Sequence, residues 1–242
     1  MGAEKLDTIR KLLAKAEGAA TQAEAETYTA KALELMARHG IDSALLAAAT
    51  PHSDEIGAVR IAMDDPYSAG KARLLAWTAG ALRCRAVMHD SYSGKVGAVT
   101  ILGFASDRER VEMLYTSLLL QACTQLVRQR PPWPGESVAA YRRSWLYGFA
   151  CEVERRLTAA EERAAEQATT PTPTAGASSV ALVLADRRRR VDHAYAEAFP
   201  HLGPARSSTL SGSGFASGAV AGRRADLGRG AVAQRSPRAL GA

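Results

Sequence analysis

Residues 85–126, RAVMHDSYSGKVGAVTILGFASDRERVEMLYTSLLLQACTQL, decide the fold class. Val87, Val99 and Ile101 put β-branched residues into two short runs, RAVMHDS and VGAVTILGF. Between them YSGK places Ser93-Gly94 where a hairpin must turn. After Phe104 the pattern becomes helical. Val111, Leu114, Tyr115, Leu118, Leu119, Ala122 and Leu126 fall on one stripe, and Ser106 with Glu109 reads as a capping box that opens a helix running to about Arg128. Two strands followed at once by a long amphipathic helix call for a sheet with one face buried under helices.

Toward the N-terminus, Leu74, Leu75, Trp77, Ala81 and Leu82 predict a helix over 70–83, and GAVRIAM (57–63) reads as a short strand. The middle of the chain is therefore an α-β-β-α unit. Before it, residues 6–42 hold two helical patterns. Leu6, Ile9, Leu12, Leu13 and Ala16 form the first stripe, which Gly18 is expected to stop. Thr21 and Glu24 form a capping box for the second, whose apolar face is Ala25, Tyr28, Ala32, Leu35 and Met36. Gly40 reads as its left-handed stop, with Arg38 and His39 in the last turn and one more turn allowed over 43–49.

Toward the C-terminus, PPWPG (131–135) breaks the chain, because consecutive prolines cannot continue a helix. Tyr141, Trp145, Phe149, Val153 and Leu157 then predict a helix over 137–167, whose polar, Ala-rich end is expected to project into solvent. TTPTPTAGASS (169–179) reads as a flexible linker, and 180–199 as a helix carrying DRRRR. The tail is rich in Gly, Ser, Ala and Arg and is expected to be disordered. Gly214, Gly218 and Gly222, spaced by four, leave open a small helix docking through a glycine face. The expected fold class is α+β and mostly helical: a helical hairpin (1–49), the α-β-β-α unit plus long helix (50–167), a linker (168–179), a basic helix (180–200) and a basic, disordered tail (201–242).

Bulk composition narrows the function classes. The hydrophobic share of 47% is ample for a core but leans on Ala, and only 6% of residues are aromatic, which suits close-packed helices. The net charge of +6, with a pI near 9.4, fits an acidic partner such as nucleic acid, or simply a codon bias toward Ala and Arg. Cys84, Cys123 and Cys151 are three thiols without a CxxC pair, so a disulfide framework is not expected and a reducing, cytoplasmic setting is. MGAEKLDTIRKLL has no continuous apolar core and is not expected to be a secretion signal, and no membrane association is expected.

Catalytic and cofactor motifs are not found. The five histidines show no H-E-x-x-H or H-x-E spacing, and His39 reads as a helix cap before it reads as a ligand. No phosphate-binding loop occurs, SGSGFASG lacks a preceding strand, and G-x-S-x-G is absent. No cofactor and no metal are therefore expected. His89 beside Asp90 could orient a general base, and Cys84 between Arg83 and Arg85 could be an activated thiol. The simpler expectations are an edge-strand polar pair and a small buried residue.

The basic features remain. Arg187, Arg188, Arg189 and Arg190 are consecutive on a helix, so they must point in different directions and cannot form a single stripe. With Arg223 and Arg224 in the tail they are the candidate nucleic-acid contacts, against the alternative of a solvated basic surface. Tyr195 and Phe215 are the aromatics read there as able to stack bases, too few for sequence-specific reading of a single strand.

The N-terminal pattern carries a resemblance. The I-x-K-L-L-A-K-A run at Ile9 to Ala16, E-A-E at Glu24 to Glu26, and A-x-x-L-M-x-x-H-G-I-D ending at Asp42 resemble the DUF2786 family of bacterial and phage proteins. ILGFASDRERVEMLYTSLLLQA and YRRSWLYGFACEVERRL are similar to the region that follows in actinobacterial members. The resemblance implies no activity, substrate or catalytic residue; the family's occurrence in phages raises the expectation of a nucleic-acid role by association alone. The expected function is thus a non-enzymatic binding or adaptor protein, associated with nucleic acid through its arginines. The alternatives are an enzyme using His89, Asp90 or Cys84, and a protein-interaction module whose hairpin shows an apolar patch over residues 6–36.

Overall fold

The apolar run VTILGF lies between two layers of helix. The computed structural model describes residues 8–9, 11–12, 15, 21–50, 54–91, 95–168, 180–203 and 210–225. In chain order its elements are α1 (Gln22–Ala49), β1 (Ile56–Ala62), α2 (Ser68–Ala81), β2 (Arg85–Ser91), β3 (Lys95–Phe104), α3 (Ala105–Leu126), α4 (Val138–Ala168), α5 (Val180–Ala198) and α6 (Phe215–Arg224). The sheet is antiparallel throughout, in the order β1-β3-β2. Val59 and Ala86 both oppose Ile101 across the ladder. Strands β1 and β2 thus run parallel with β3 between them, the split β-α-β arrangement in which α2 makes the crossover.

One face of the sheet meets α2 and α3. Val99 and Ile101 share a core with Leu74 and Leu75 of α2 and with Val111, Leu114 and Leu118 of α3. The other face is partly covered by α5, where Leu102 and Phe104 pack with Val191, Tyr195 and Phe199. β3 is therefore buried on both faces from Ala98 to Phe104. That is why its sequence is continuously apolar, where a one-sided strand would alternate.

The expected fold class holds: the protein is mostly helical α+β. Thr8, Ile9, Lys11, Leu12 and Lys15 are helical, and Ile9 is buried in the same core as Ala32 and Met36 of α1. Thr21 caps α1 by accepting a hydrogen bond from the Glu24 amide at 3.2 Å. The Gly18 stop, the Ser93-Gly94 turn, the linker over 169–179, and the tail over 204–209 and 226–242 lie outside the described residues.

Four expectations are corrected. Helix α1 does not stop at Gly40 but continues to Ala49. The expected Ser106–Glu109 capping box does not open α3. Phe104 is the N-cap residue, and Asp54, from the segment before β1, instead accepts hydrogen bonds from the Ser106 amide (3.2 Å) and hydroxyl (2.6 Å). The C-terminal half of α4 does not project into solvent, since Leu157, Ala160, Glu161 and Ala164 are buried, with Ala164 against Ala37 and Ile41 of α1. Finally, residues 215–224 form a docked helix where a disordered tail was expected.

The glycine spacing explains that last correction. A Cβ on Gly222 would lie 2.7 Å from the Phe149 carbonyl oxygen, and one on Gly218 2.7 Å from the Trp145 carbonyl carbon. The bare face of α6 lets the two backbones touch, so a helix with little apolar side chain gains close dispersion contacts along its length. Polar contacts fix its ends. Glu136 accepts from the Ser213 amide and hydroxyl at 2.7 and 2.8 Å. Arg156 donates to the Gly222 and Ala225 carbonyls at 2.8 and 2.7 Å, satisfying acceptors that a helix end leaves open.

Candidate functional site

Charged side chains converge where α1, α3, α4 and α5 meet. Arg110 of α3 is buried and donates to Asp107 on its own helix at 3.1 Å and to Glu161 of α4. Arg83 reaches Glu161 at 2.8 Å and Asp107 at 3.8 Å. Arg187 of α5 donates to both Asp54 and Asp107 at 2.9 Å. Three guanidiniums face three carboxylates, so the cluster is electrically balanced, as a buried ionic group must be to survive desolvation. For Asp54, burial pushes the carboxyl up, but hydrogen bonds from Ser106 and Arg187 outweigh it and hold the pKa below the ordinary value. For Arg110, burial alone would lower the pKa, and Glu161 and Asp107 reverse that.

Backbone geometry places these side chains. After α2 the Cys84 amide bonds the Ala79 carbonyl (2.9 Å) and the Arg83 amide bonds that of Gly80 (3.3 Å), the two-bond helix stop in which Arg83 takes the left-handed position at φ 65°. Glycine is usual there, and a side chain costs on the order of 1 kcal/mol. The conformation delivers the Arg83 guanidinium to Glu161. From the other side, Gly40 of α1 supplies the seat: a Cβ there would lie 2.6 Å from Arg110 Cζ and 2.8 Å from Arg83 Nη2. The H-G-I-D glycine is thus a point of close approach. His39 beside it shares Nδ1 with the Ser43 hydroxyl at 3.1 Å, one turn along a helix that has not ended, so it is no cap for last carbonyls; its Nε2 is buried without a partner.

The arginine run divides as four consecutive helical positions must. Arg187 is buried, with its guanidinium 3.7 Å from the centre of the Phe104 ring. Arg188, Arg189 and Arg190 are exposed. Arg190 lies 5.0 Å from the centre of the Phe104 ring, and Arg189 pairs with Asp186 at 2.5 Å. Arg189 and Arg190 line an open groove of about 870 Å³. Ala44, Ala47 and Ala48 of α1 form one wall, and Leu182, Val183, Arg189 and Arg190 of α5 the other. Asp54, Glu55, Ile56, Phe104 and Arg187 also line it. Arg223 and Arg224 are exposed in the last turn of α6. Sequence reasoning found the run but not the groove, whose alanine wall carries no distinctive signal.

The other sequence candidates do not converge. Ring nitrogen Nε2 of His89 lies 2.8 Å from the Thr100 hydroxyl on the neighbouring strand, while Asp90 is exposed past an irregularity in the β2 ladder. Cys84 is buried at 3% exposure, and burial pushes its thiol up to about 12, the reverse of an activated nucleophile. All three cysteines are unpaired. Among the described residues no group of three or more His, Cys, Asp or Glu could hold a metal ion, and no helix is long and apolar enough to cross a membrane. Within the described part of 6–36 no large apolar side chain is exposed; Leu46 and Leu182, at the groove end of α1 and on α5, are both 66% exposed.

A family model matches the N-terminal part of the chain. Residues 4–43 match the family described as "Protein of unknown function (DUF2786)", in agreement with the resemblance of the hairpin motifs. No curated protein and no solved structure matches the chain.

Proposed function

We propose that the protein is a cytoplasmic, non-enzymatic binding module that holds nucleic acid through its phosphates. The observation that carries this is the division of the arginine run. Arg187 is consumed by the internal cluster, whereas Arg188, Arg189 and Arg190 stand exposed, the last two lining an open groove. Arg223 and Arg224 supply a second exposed cationic point at the end of α6, where Arg156 rather than either of them satisfies the last carbonyls. Guanidiniums presented in this way contact phosphate oxygens and release counterions, giving affinity that falls with salt.

The test is fluorescence anisotropy with a mixed-sequence 20-base-pair duplex across a salt series. The affinity is expected to fall steeply with salt. A variant with Arg188, Arg189 and Arg190 changed to Ala should flatten the slope by roughly 2 to 3, and R223A/R224A by roughly 1 to 2. Arg187 is kept in both, because removing it strands Asp54 and Asp107 and would cost roughly 3–5 kcal/mol of stability. Binding that is independent of salt, or absent at low salt, overturns the proposal.

A further inference from the structure

We infer that the loop joining α3 to α4 is a stacking platform for an unpaired base, with Trp133 as its ring, an inference that rests on the nucleic-acid reading above. Trp133 is 69% exposed, the highest value among the large apolar side chains described, and its indole touches no other ring among the described residues. The loop holds it in that position. Pro131 and Pro132 before the ring and Pro134 after it fix their φ angles. Gly135 takes a left-handed conformation (φ 92°) in a turn closed by the Glu136 amide on the Trp133 carbonyl at 3.5 Å. Arg142 of α4 donates to the Val127 and Gln129 carbonyls at 2.7 and 3.2 Å, and Glu136 is fastened to Ser213. A ring displayed on a stiff loop loses little freedom when a flat partner stacks on it.

Charge points independently to the chemistry of that partner. Residues 120–147 carry four arginines, Arg128, Arg130, Arg142 and Arg143, against one carboxylate, Glu136, which already accepts from Ser213. Arg130 and Arg142 bond backbone carbonyls, which leave a guanidinium's charge uncancelled. Arg128 and Arg143 are exposed, and their guanidiniums have no partner among the described residues. The segment that Glu136 ties to the loop, residues 210–225, holds no carboxylate. A bare aromatic face among uncancelled cations is the pairing that binds single strands without sequence readout: the ring takes a base and the guanidiniums its phosphates. In a duplex the base faces are already stacked, so Trp133 adds affinity for unpaired bases alone.

The experiment titrates the full chain with two labelled probes, a 20-nucleotide oligodeoxythymidylate and the mixed 20-base-pair duplex, at one salt concentration. Trp133→Ala should weaken the single strand about tenfold and leave the duplex unchanged, while Trp133→Phe, which keeps a ring, should weaken it less than about threefold. Thermal melting confirms that both variants fold, as expected for an exposed side chain. A second measurement does not depend on Trp133→Ala: unlabelled oligodeoxythymidylate should quench the indole emission of wild type, and Trp133→Phe should bind it without that quench. R128A/R143A should lower the single-strand salt slope by roughly 1 to 1.5, and an unchanged slope overturns the phosphate contacts of the loop. Single-strand affinity that survives Trp133→Ala, or a loss equal for both probes, overturns the platform alone. So does binding to vesicles of about 30% phosphatidylserine that Trp133→Ala abolishes while oligodeoxythymidylate binding stands, since the loop is then a lipid contact. Failure of both probes to bind at low salt overturns the platform together with the reading on which it rests.

Discussion

Replacing Gly40 with Ala should destabilise the protein, although the same change in most helices does the opposite. Gly40 lies within α1, and Ala is ordinarily better there by about 1 kcal/mol. Here the added methyl would fall 2.6 Å from Arg110 Cζ and 2.8 Å from Arg83 Nη2. Arg110 is 1% exposed and held by Asp107 and Glu161, so its guanidinium can retreat only by leaving those carboxylates. Breaking a buried pair of this kind costs roughly 3–5 kcal/mol, which exceeds the propensity gain and leaves a net loss of about 2–4 kcal/mol. In urea, with a slope of about 2 kcal/mol per molar, the midpoint should drop by roughly 1–2 M.

The internal control is Gly80→Ala in α2, where a Cβ meets nothing within 4 Å. It should be neutral or raise stability by up to about 1 kcal/mol. A double-mutant cycle localises the effect: once Arg110 is replaced by Met, Gly40→Ala should cost little more. The reasoning is refuted if Gly40→Ala unfolds at the wild-type midpoint or above it while Gly80→Ala behaves as expected. It is refuted equally if the cost survives unchanged in the Arg110→Met background.

Three other outcomes follow from the same geometry. The folded-state pKa of Asp54 lies below its unfolded value, so its stabilisation is present above the ordinary carboxylate pKa and is lost as pH falls through the lowered one; Asp54→Asn should flatten that acid limb in urea titrations between about pH 5 and pH 2. Cys84 should resist iodoacetamide in the native protein at pH 8 and react only after unfolding, a pattern that peptide mass spectrometry would contradict by finding Cys84 labelled first. Gly218→Leu should detach α6 from α4, exposing residues 210–225 to limited proteolysis while the rest of the chain melts cooperatively; unchanged protection of that segment would count against glycine-mediated docking.

The hairpin, the strands and the helical stripes were legible because each rests on periodicity within one segment. Val87, Val99 and Ile101 fall in strands, and Val111 to Leu126 in a helix, for local reasons. Gly40 was misread because a glycine signals either a left-handed turn or a close neighbour, and its neighbour, Arg110, is distant in sequence. The glycines of α6 posed the same ambiguity, and the carbonyls of Trp145 and Phe149 resolved it. Asp54 capping α3 was likewise out of reach, since a side chain from another segment displaced the local Ser106–Glu109 box.

The arginine run shows how far sequence can carry a functional argument. Four consecutive helical residues step by about 100° each and fan over about 300°, so they had to point in different directions; that much was readable. Which one turned inward depended on where Asp54 and Asp107 came to lie. The consequence for charge is specific. The cluster withdraws Arg83, Arg110 and Arg187 together with Asp54, Asp107 and Glu161, three cations against three anions, so the net charge of +6 remains on the rest of the chain. What changes is the location of the arginines that can meet a phosphate. Basicity alone names Arg187 together with Arg188, Arg189 and Arg190; burial in the cluster removes Arg187 from the proposed phosphate contacts and leaves the three exposed residues after it as candidates.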